Sequence, residues 1–103
     1  MRRGEVRWYR FTRPDKNRPV LILTRDSVLG VLGEATIAPL TRTIREIPSE
    51  VVLTTDDGLP ESCAVNCDHI QTVSQARLGA LITTLGRGRL AEVARAVRFA
   101  LDL

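Results

Sequence analysis

Short runs rich in apolar and β-branched residues make up much of the chain, and residues 3–11 alternate with the period of two that is typical of β-strands. Turn-forming residues separate these runs, as in the polar segment 12–17 and the Asp57-Gly58 pair. The pattern predicts strands at residues 3–11, 19–24, 35–41, 50–54 and 81–85. Residues 63–66 and 69–73 are predicted to form two short strands or one bent strand.

Two of the predicted strands stand out by their composition. Residues 19–24 form a continuous apolar, β-branched run of the length expected for a buried central strand. Residues 35–41 are also largely apolar but contain Pro39, which has no backbone N–H to donate to a neighbouring strand. Pro39 therefore predicts an edge or a bulge at this point.

The period changes near the end of the chain. Apolar residues recur there at intervals of three and four, at Leu90, Val93, Ala94, Val97, Ala100 and Leu101. This spacing predicts an amphipathic helix of about three to four turns, with Gly86 and Gly88 marking its start. Five or more short strands and one terminal helix favour a mainly β fold, either a compact barrel or a half-open sheet capped by the helix.

Length and composition are those of one small globular domain, and we expect a single domain over residues 1–103. No apolar run approaches the ~20 residues that a membrane span needs. The N-terminal residues lead into an alternating segment rather than an apolar signal core. We therefore expect a cytoplasmic location.

Charge is distributed unevenly along the chain. Residues 1–25 carry eight basic groups and two acids, whereas residues 46–68 carry six acids and no base. Such asymmetry suggests an anionic partner for the first region. Fourteen of the fifteen basic residues are arginines, whose planar guanidinium suits phosphate groups and also stacks on bases. A solvated, arginine-rich surface explains the charge equally well.

The two cysteines lie four residues apart in a predicted strand, where their Cα atoms would be ~13 Å apart. A disulfide between Cys63 and Cys67 is thereby excluded, because it needs less than ~7 Å. With His69 they supply three ligands at an unfamiliar spacing, and a structural zinc site uses four. We therefore predict two buried thiols.

Familiar enzyme motifs are missing from the sequence. It contains no dinucleotide-binding or phosphate-binding glycine loop, no zinc protease motif and no nucleophile elbow. The single histidine excludes a mechanism with two imidazoles. Arg18 and Thr41 remain, one directly before a buried strand and the other at the end of the next. Donors held at strand ends are pre-organised around an anion, although a surface arginine and a strand-terminal threonine explain each residue alone.

Several segments together resemble the MazF/PemK/Kid toxins of bacterial toxin–antitoxin pairs. They are RGEV at residues 3–6, RPVLIL at 18–23, APLT at 38–41, VNCDHIQTV at 65–73 and ITTL at 82–85, followed by the helix. Each segment alone is weak evidence for the resemblance, but together they span nearly the whole chain in the right order.

The resemblance implies a compact SH3-like barrel with a C-terminal helix, a homodimer, and a sequence-specific endoribonuclease acting on single-stranded RNA (an mRNA interferase). It implies Arg18 and Thr41 as the catalytic pair. The substrate's own 2′-hydroxyl would attack, leaving a 2′,3′-cyclic phosphate and a 5′-hydroxyl, with neither metal nor cofactor. Because a guanidinium stays protonated at neutral pH, we assign Arg18 to charge stabilisation rather than proton transfer.

Asp68 is the candidate carboxylate for proton transfer, since the Kid-like branch has an aspartate at the matching place. That branch has an arginine two residues earlier, where this chain has Asn66. Asp68 is therefore predicted either to transfer protons or to read a base edge.

RNA binding is expected along the first loop and the edge of the third strand. The phosphate-binding candidates are Arg13, Lys16, Arg25 and Arg42, and Asn17 belongs to the same basic loop. The base-reading candidates are Thr43, Asn66 and Gln71. Trp8 and Tyr9 are the two aromatic candidates for stacking on a base. Trp8 is favoured as a core residue, because it lies two residues after Val6 and so on the same face of the strand. For Tyr9, on the opposite face, stacking and a place in the fold are equally favoured.

The resemblance also implies a cognate antitoxin whose acidic C-terminal tail would cover the RNA site. The terminal helix would serve the core, the dimer interface or the antitoxin, with the core as the default. Two other functions remain open, namely a CcdB-like toxin that binds a topoisomerase without cleaving RNA, and an inactive RNA-binding barrel.

Overall fold

The computed structural model describes residues 1–11 and 16–103, which form seven strands and two α-helices. The strands are β1 (Glu5–Arg10), β2 (Asn17–Ile22), β3 (Glu34–Thr41), β4 (Glu50–Leu53), β5 (Cys63–Asn66), β6 (Gln71–Ser74) and β7 (Leu78–Thr84). The helices are α1 (Asp26–Leu29) and α2 (Arg87–Leu101). Short 3₁₀ turns lie at Thr55–Asp57, Cys67–His69 and Gln75–Arg77. No helix in this described part of the chain has the length and apolarity to cross a membrane.

The strands form one antiparallel sheet in the order β4-β5-β3-β2-β1-β7, and β6 pairs with the first half of β3. β3 is the branch point, because residues 34–37 pair with β6 whereas Leu40 and Thr41 pair with β5. Pro39 lies between these two sets of pairs, at the point where β3 exchanges one neighbour for the other. A residue without an N–H is tolerated there because that side of β3 has no ladder partner at position 39. The predicted irregularity at Pro39 is confirmed.

Both faces of β2 are buried, which explains its unbroken apolar run. Leu21 faces a core formed with β4, β5 and α2, whereas Val20 and Ile22 face a second core around Tyr9, Leu29 and Ile37. A strand with one solvated face would alternate, but a strand between two cores is apolar at every position. This prediction of a buried central strand is confirmed.

Helix α2 packs on the first core through the stripe that the sequence predicts, with small differences. Val93 and Ala96 are buried, and Leu90, Val97 and Ala100 are partly buried against the same core. Leu101 is 54% exposed, because the helix ends there and its last turn extends beyond the sheet.

The mainly β fold with a terminal helix is confirmed, and of the two predicted forms the sheet takes the half-open one. Among the described residues, β7 pairs only with β1 and β4 pairs only with β5, so their outer edges stay unjoined. Side chains connect these two ends instead of a backbone ladder. The Thr83 hydroxyl of β7 donates to the carbonyl oxygen of Asp57, just after β4, at 2.9 Å.

An ion pair extends the same connection to α2. Arg89 donates from Nε to Asp57 Oδ1 at 3.0 Å and from Nη2 to Asp57 Oδ2 at 3.1 Å. Gly58 follows with φ 91°, and a Cβ at this position would collide with Thr83. The turn after β4 therefore needs a glycine, both for its backbone angle and for the approach of β7.

We expect Arg89→Ala to lower the free energy of unfolding at pH 7 by about 1–2 kcal/mol, because it removes two charge-assisted hydrogen bonds from a partly buried carboxylate. The hydrogen bonds from Arg89 hold the pKa of Asp57 below its ordinary value of 3.8. A depressed carboxyl pKa stabilises the folded state above pH ~4, and this contribution is lost as the pH falls through the folded pKa. Urea unfolding of wild type and variant at pH 7 and pH 3 should therefore show a difference that shrinks in acid.

Arg95→Ala is the matched control, since Arg95 is an exposed arginine of the same helix. An equal loss of stability in both variants at pH 7 would contradict a stabilising role for the ion pair between Arg89 and Asp57.

Candidate functional site

A cleft of about 580 Å³ opens where β2 begins and β3 ends. Its floor is apolar and includes Pro19 and Leu40, while its rim carries charged and hydroxyl groups. The described residues that line it are Trp8, Lys16, Asn17, Arg18, Pro19, Leu40, Thr41, Arg42, Thr43, Leu59, Pro60, Glu61 and Cys63. The cleft thus combines an apolar surface for a flat ligand with polar groups that can hold its charged part.

Strand pairing brings the two predicted catalytic residues to this cleft. β2 and β3 pair in a register that sets Val20 opposite Pro39 and Ile22 opposite Ile37. Continued by two residues, this register sets Arg18 across from Thr41. Opposite residues of an antiparallel pair lie on the same face, so both side chains point the same way.

The Thr41 hydroxyl is oriented by the backbone of the loop that follows β3. Thr43 N–H donates to Thr41 Oγ1 at 3.1 Å. This bond occupies one lone pair of the oxygen and leaves the hydroxyl hydrogen to be donated elsewhere. Thr41 is thereby set up as a hydrogen-bond donor toward a ligand in the cleft.

The cleft is positively charged. Lys16, Arg18 and Arg42 line it together with one described carboxylate, Glu61. Arg42 Nε lies 3.0 Å from Glu61 Oε2, and both side chains are more than half exposed. An ion pair so accessible to water is weak, so a phosphate can compete with Glu61 for Arg42.

Cys63 lies in the wall of the cleft, but its thiol is poorly suited to nucleophilic chemistry. Burial raises its pKa, and the charges of Glu61 and Asp57 add to the rise. Burial likewise raises the pKa of Cys67 to about 11. Both cysteines are buried free thiols, as predicted. Within the described residues, no three His, Cys, Asp or Glu side chains are arranged to bind a metal ion.

Asp68 and Asn66 do not line the cleft. The β3–β5 register pairs Thr41 with Ala64, so the chain runs away from Thr41 toward Asn66 and Asp68 at the other end of β5. There Ser49 Oγ donates to Asp68 Oδ2 at 2.6 Å, and Asp68 N–H donates to Asn66 Oδ1 at 3.0 Å. Asn66 is buried, and its side chain supports this turn.

Two other predicted RNA contacts are not brought to the cleft. Arg25 lies beyond the opposite end of β2, directly before α1. Gln71 pairs with Ile37, four residues before Thr41 on β3. Arg13 lies outside the described residues. The predicted residues that do share the cleft are Lys16, Asn17, Arg18, Thr41, Arg42 and Thr43.

Of the two aromatic residues of β1, Tyr9 rather than Trp8 lies in the core. Trp8 is 38% exposed and lines the cleft, whereas Tyr9 is 7% exposed in the second core. The preference for Trp8 as a core residue is therefore wrong. Both faces of β1 are buried near Val6, but the first core ends before Trp8. Phe11, two residues after Tyr9, packs edge-on against it with ring centres 4.7 Å apart. This second aromatic residue is the sequence feature that could have identified Tyr9 as the core residue.

Comparison with known sequences gives matches over nearly the whole chain. Residues 2–101 match the family described as the PemK-like, MazF-like toxin of type II toxin–antitoxin systems. The chain is 41% identical over 99 residues to the probable endoribonuclease MazF2 of Mycobacterium tuberculosis, covering 95% of both chains. It is 40% identical over 89 residues to endoribonuclease MazF3 of the same species, covering 86% of both.

Solved structures agree with these matches. The M. tuberculosis toxin MazF-mt6 superposes with a TM-score of 0.88 at 36% identity, over 96% of this chain and 97% of that chain. A mycobacterial endoribonuclease in complex with its cognate antitoxin superposes with a TM-score of 0.90 at 25% identity, over 100% of this chain and 96% of that chain. Because both its sequence and its fold match, the chain belongs to the PemK-like, MazF-like toxin family of type II toxin–antitoxin systems.

Proposed function

We propose that this protein is the endoribonuclease toxin of a toxin–antitoxin pair, an mRNA interferase that cleaves single-stranded RNA at specific sequences. Relatives with about two-fifths identity are described as endoribonucleases. The observation that carries the proposal for this chain is the convergence of Arg18 and Thr41 at the mouth of one basic cleft. The apolar floor and Trp8 provide a surface on which bases can stack.

In the proposed reaction the RNA supplies its own nucleophile. The 2′-hydroxyl oxygen forms a bond to the adjacent phosphorus while the bond from phosphorus to the 5′-oxygen breaks. The 2′-hydroxyl loses its proton and the leaving 5′-oxygen gains one, so the products are a 2′,3′-cyclic phosphate and a 5′-hydroxyl. This route needs no metal-activated water, and it makes the enzyme specific for RNA.

Arg18 and Thr41 would act on the charge that develops at phosphorus. The guanidinium offers two parallel donors to the non-bridging oxygens, and the Thr41 hydroxyl adds a third. Because β2 and β3 are anchored in two cores, these donors are held in place before the substrate binds. Pre-organised donors stabilise a transition state without the cost of reorganisation.

The group that transfers protons does not lie in the cleft of a single chain. Asp68 is the predicted carboxylate, but within one chain it accepts a hydrogen bond from Ser49 and lies outside the cleft. A catalytic role for Asp68 therefore requires the second copy of the chain in the proposed homodimer. The exposed Phe99, Leu101 and Leu103 at the end of α2 support such an association, because they add apolar surface that the chain itself does not cover.

The proposed inhibitor is a cognate antitoxin with an acidic C-terminal tail. The cleft carries three cationic side chains, of which one is paired with Glu61. An acidic peptide would be attracted by the same field as RNA and would exclude it by occupying the cleft. Inhibition of this kind should weaken as the salt concentration rises.

We expect the purified protein to cut a mixed-sequence RNA in the presence of EDTA. The fragments should carry a 2′,3′-cyclic phosphate and a 5′-hydroxyl, as read by end-specific ligation and mass spectrometry. RNA that stays intact at excess protein would contradict the proposed function. In that case, binding of the intact RNA would indicate an inactive RNA-binding protein, and inhibition of a topoisomerase would indicate a CcdB-like toxin.

Arg18→Ala is expected to lower kcat by about 100-fold or more, because it removes the main charge opposite the reacting phosphate. Arg18→Lys should recover part of this loss, since lysine keeps the charge but not the paired donors. The unfolding midpoint should stay at the wild-type value because Arg18 is exposed. Single-turnover cleavage measures the effect, with Arg95→Ala as the control for loss of an exposed arginine. Equal rates for Arg18→Ala and Arg95→Ala would contradict the assignment.

Thr41→Val tests the hydroxyl at nearly constant shape. We expect kcat to fall by about 100-fold, as for the loss of one pre-organised donor. Thr41→Ser should stay within a few-fold of wild type, because it keeps both the donor and the acceptor for Thr43 N–H. Similar losses for the two variants would indicate that the methyl group of Thr41, rather than its hydroxyl, is what matters.

A further inference from the structure

A second cleft, of about 560 Å³, also has Trp8 in its lining. It shares Trp8 and Asn17 with the cleft that contains Arg18 and Thr41. Its own wall includes Arg10 of β1 and Arg77 of the 3₁₀ turn before β7. The two clefts are therefore neighbours that meet at one indole ring and one amide side chain.

An irregularity in the β1–β7 ladder makes room beside the indole. Arg7 pairs with Leu81 and Tyr9 pairs with Leu78, so Trp8 faces the two small residues left between them, Gly79 and Ala80. A Cβ on Gly79 would lie 3.5 Å from the Trp8 carbonyl oxygen, which shows how closely the two strands approach. Small residues at this point leave a flat space of the kind that a base can occupy.

The wall that carries Arg77 is rigid. Gln75 Nε2 lies 3.0, 2.7 and 3.0 Å from the carbonyl oxygens of Leu29, Leu32 and Glu34, which share its two hydrogens. These bonds fix the turn to the loop between α1 and β3. Arg77 itself is positioned by a cation–π contact, with its guanidinium carbon 5.7 Å from the centre of the Tyr9 ring. The contact with Tyr9 thus orients the exposed Arg77 side chain at the cleft.

The charge of the second cleft matches a nucleic acid. The described residues that line it include two arginines and no acid. Both arginines are exposed to solvent and reachable by a ligand. Cations beside an aromatic ring are the combination with which proteins bind single-stranded nucleic acid without reading its sequence.

We propose that the second cleft binds a nucleotide of the RNA that flanks the cleaved one. The strand passes from the reaction cleft over Trp8, the flanking base stacks on the indole, and its phosphate is held by Arg10 and Arg77. This subsite deepens the proposed endoribonuclease function and rests on it. Because stacking and phosphate contacts accept any base, the subsite adds affinity and salt dependence rather than sequence selectivity.

The test uses DNA oligonucleotides with one ribonucleotide at a mapped cleavage site, so that a single bond can be cut. A short substrate is compared with two longer ones, extended by two nucleotides on the 5′ or the 3′ side. The readout is the ratio of kcat/KM for a longer substrate to that for the short one. In wild type this ratio should be about tenfold on one side, from stacking and phosphate contacts.

Arg77→Ala and Arg10→Ala should each reduce this ratio toward one, whereas Arg95→Ala should keep it at the wild-type value. The slope of log kcat/KM against log salt for the longer substrate should also fall by about 0.7 per lost phosphate contact. Because Arg77 touches Tyr9, its loss could act through the fold. Such an effect would lower kcat/KM for both substrates alike and leave the ratio unchanged, which would overturn the subsite.

Three further outcomes are decisive. If wild type cuts the short substrate but gains nothing from either extension, the subsite is wrong and the endoribonuclease function stands. If both arginine variants keep the extension ratio but need more antitoxin for inhibition, the cleft belongs to the antitoxin and the subsite is overturned. Failure of wild type to cut any substrate would remove the proposed function itself.

Discussion

The pairing of β2 with β3 is the constraint on which both the core and the site depend. Its register alternates side chains of β2 between two cores, and the same register sets Arg18 across from Thr41. A slip of one residue would turn Leu21 out of its core and move Arg18 to the wrong face of the sheet. The hydrophobic burial that stabilises the fold is therefore also what positions the proposed donors.

The acidic and the basic regions of the sequence use their charges differently in the structure. Two acids of residues 46–68 form ion pairs that support the fold, Glu50 with Arg45 at 2.8 Å and Asp57 with Arg89 at 3.0 Å. Glu50 is almost fully buried in this pair, so it supports the fold rather than repelling an anionic ligand. Glu61 of the same segment borders the first cleft, where it pairs with Arg42. Of the basic N-terminal region, Lys16 and Arg18 line the first cleft and Arg10 lines the second.

Much of the fold was predictable from local patterns. The strand positions, the buried β2, the irregularity at Pro39 and the amphipathic α2 all follow from residue type and spacing, which depend on neighbouring residues alone. The choice between a compact barrel and a half-open sheet did not follow, because it depends on how the two ends of the sheet meet, through contacts of Thr83, Asp57 and Arg89, which are far apart in sequence. The core position predicted for Trp8 was wrong for a related reason. Alternation tells which face of the strand a residue points to, but not where the core under that face ends.

For the candidate site, the sequence alone determined the residue types and their places at strand ends, and the family motifs pointed to Arg18 and Thr41. Only the tertiary structure decided which other predicted residues share their cleft. It brought in Lys16, Asn17, Arg42 and Thr43, and it left Asp68 at the far end of β5. It also placed Arg77 beside Trp8, nearly seventy residues away along the chain. The reason is physical: periodicity records which residues are buried, whereas a binding surface is made of exposed residues from separate strands, and only strand register and sheet curvature set the distances between them.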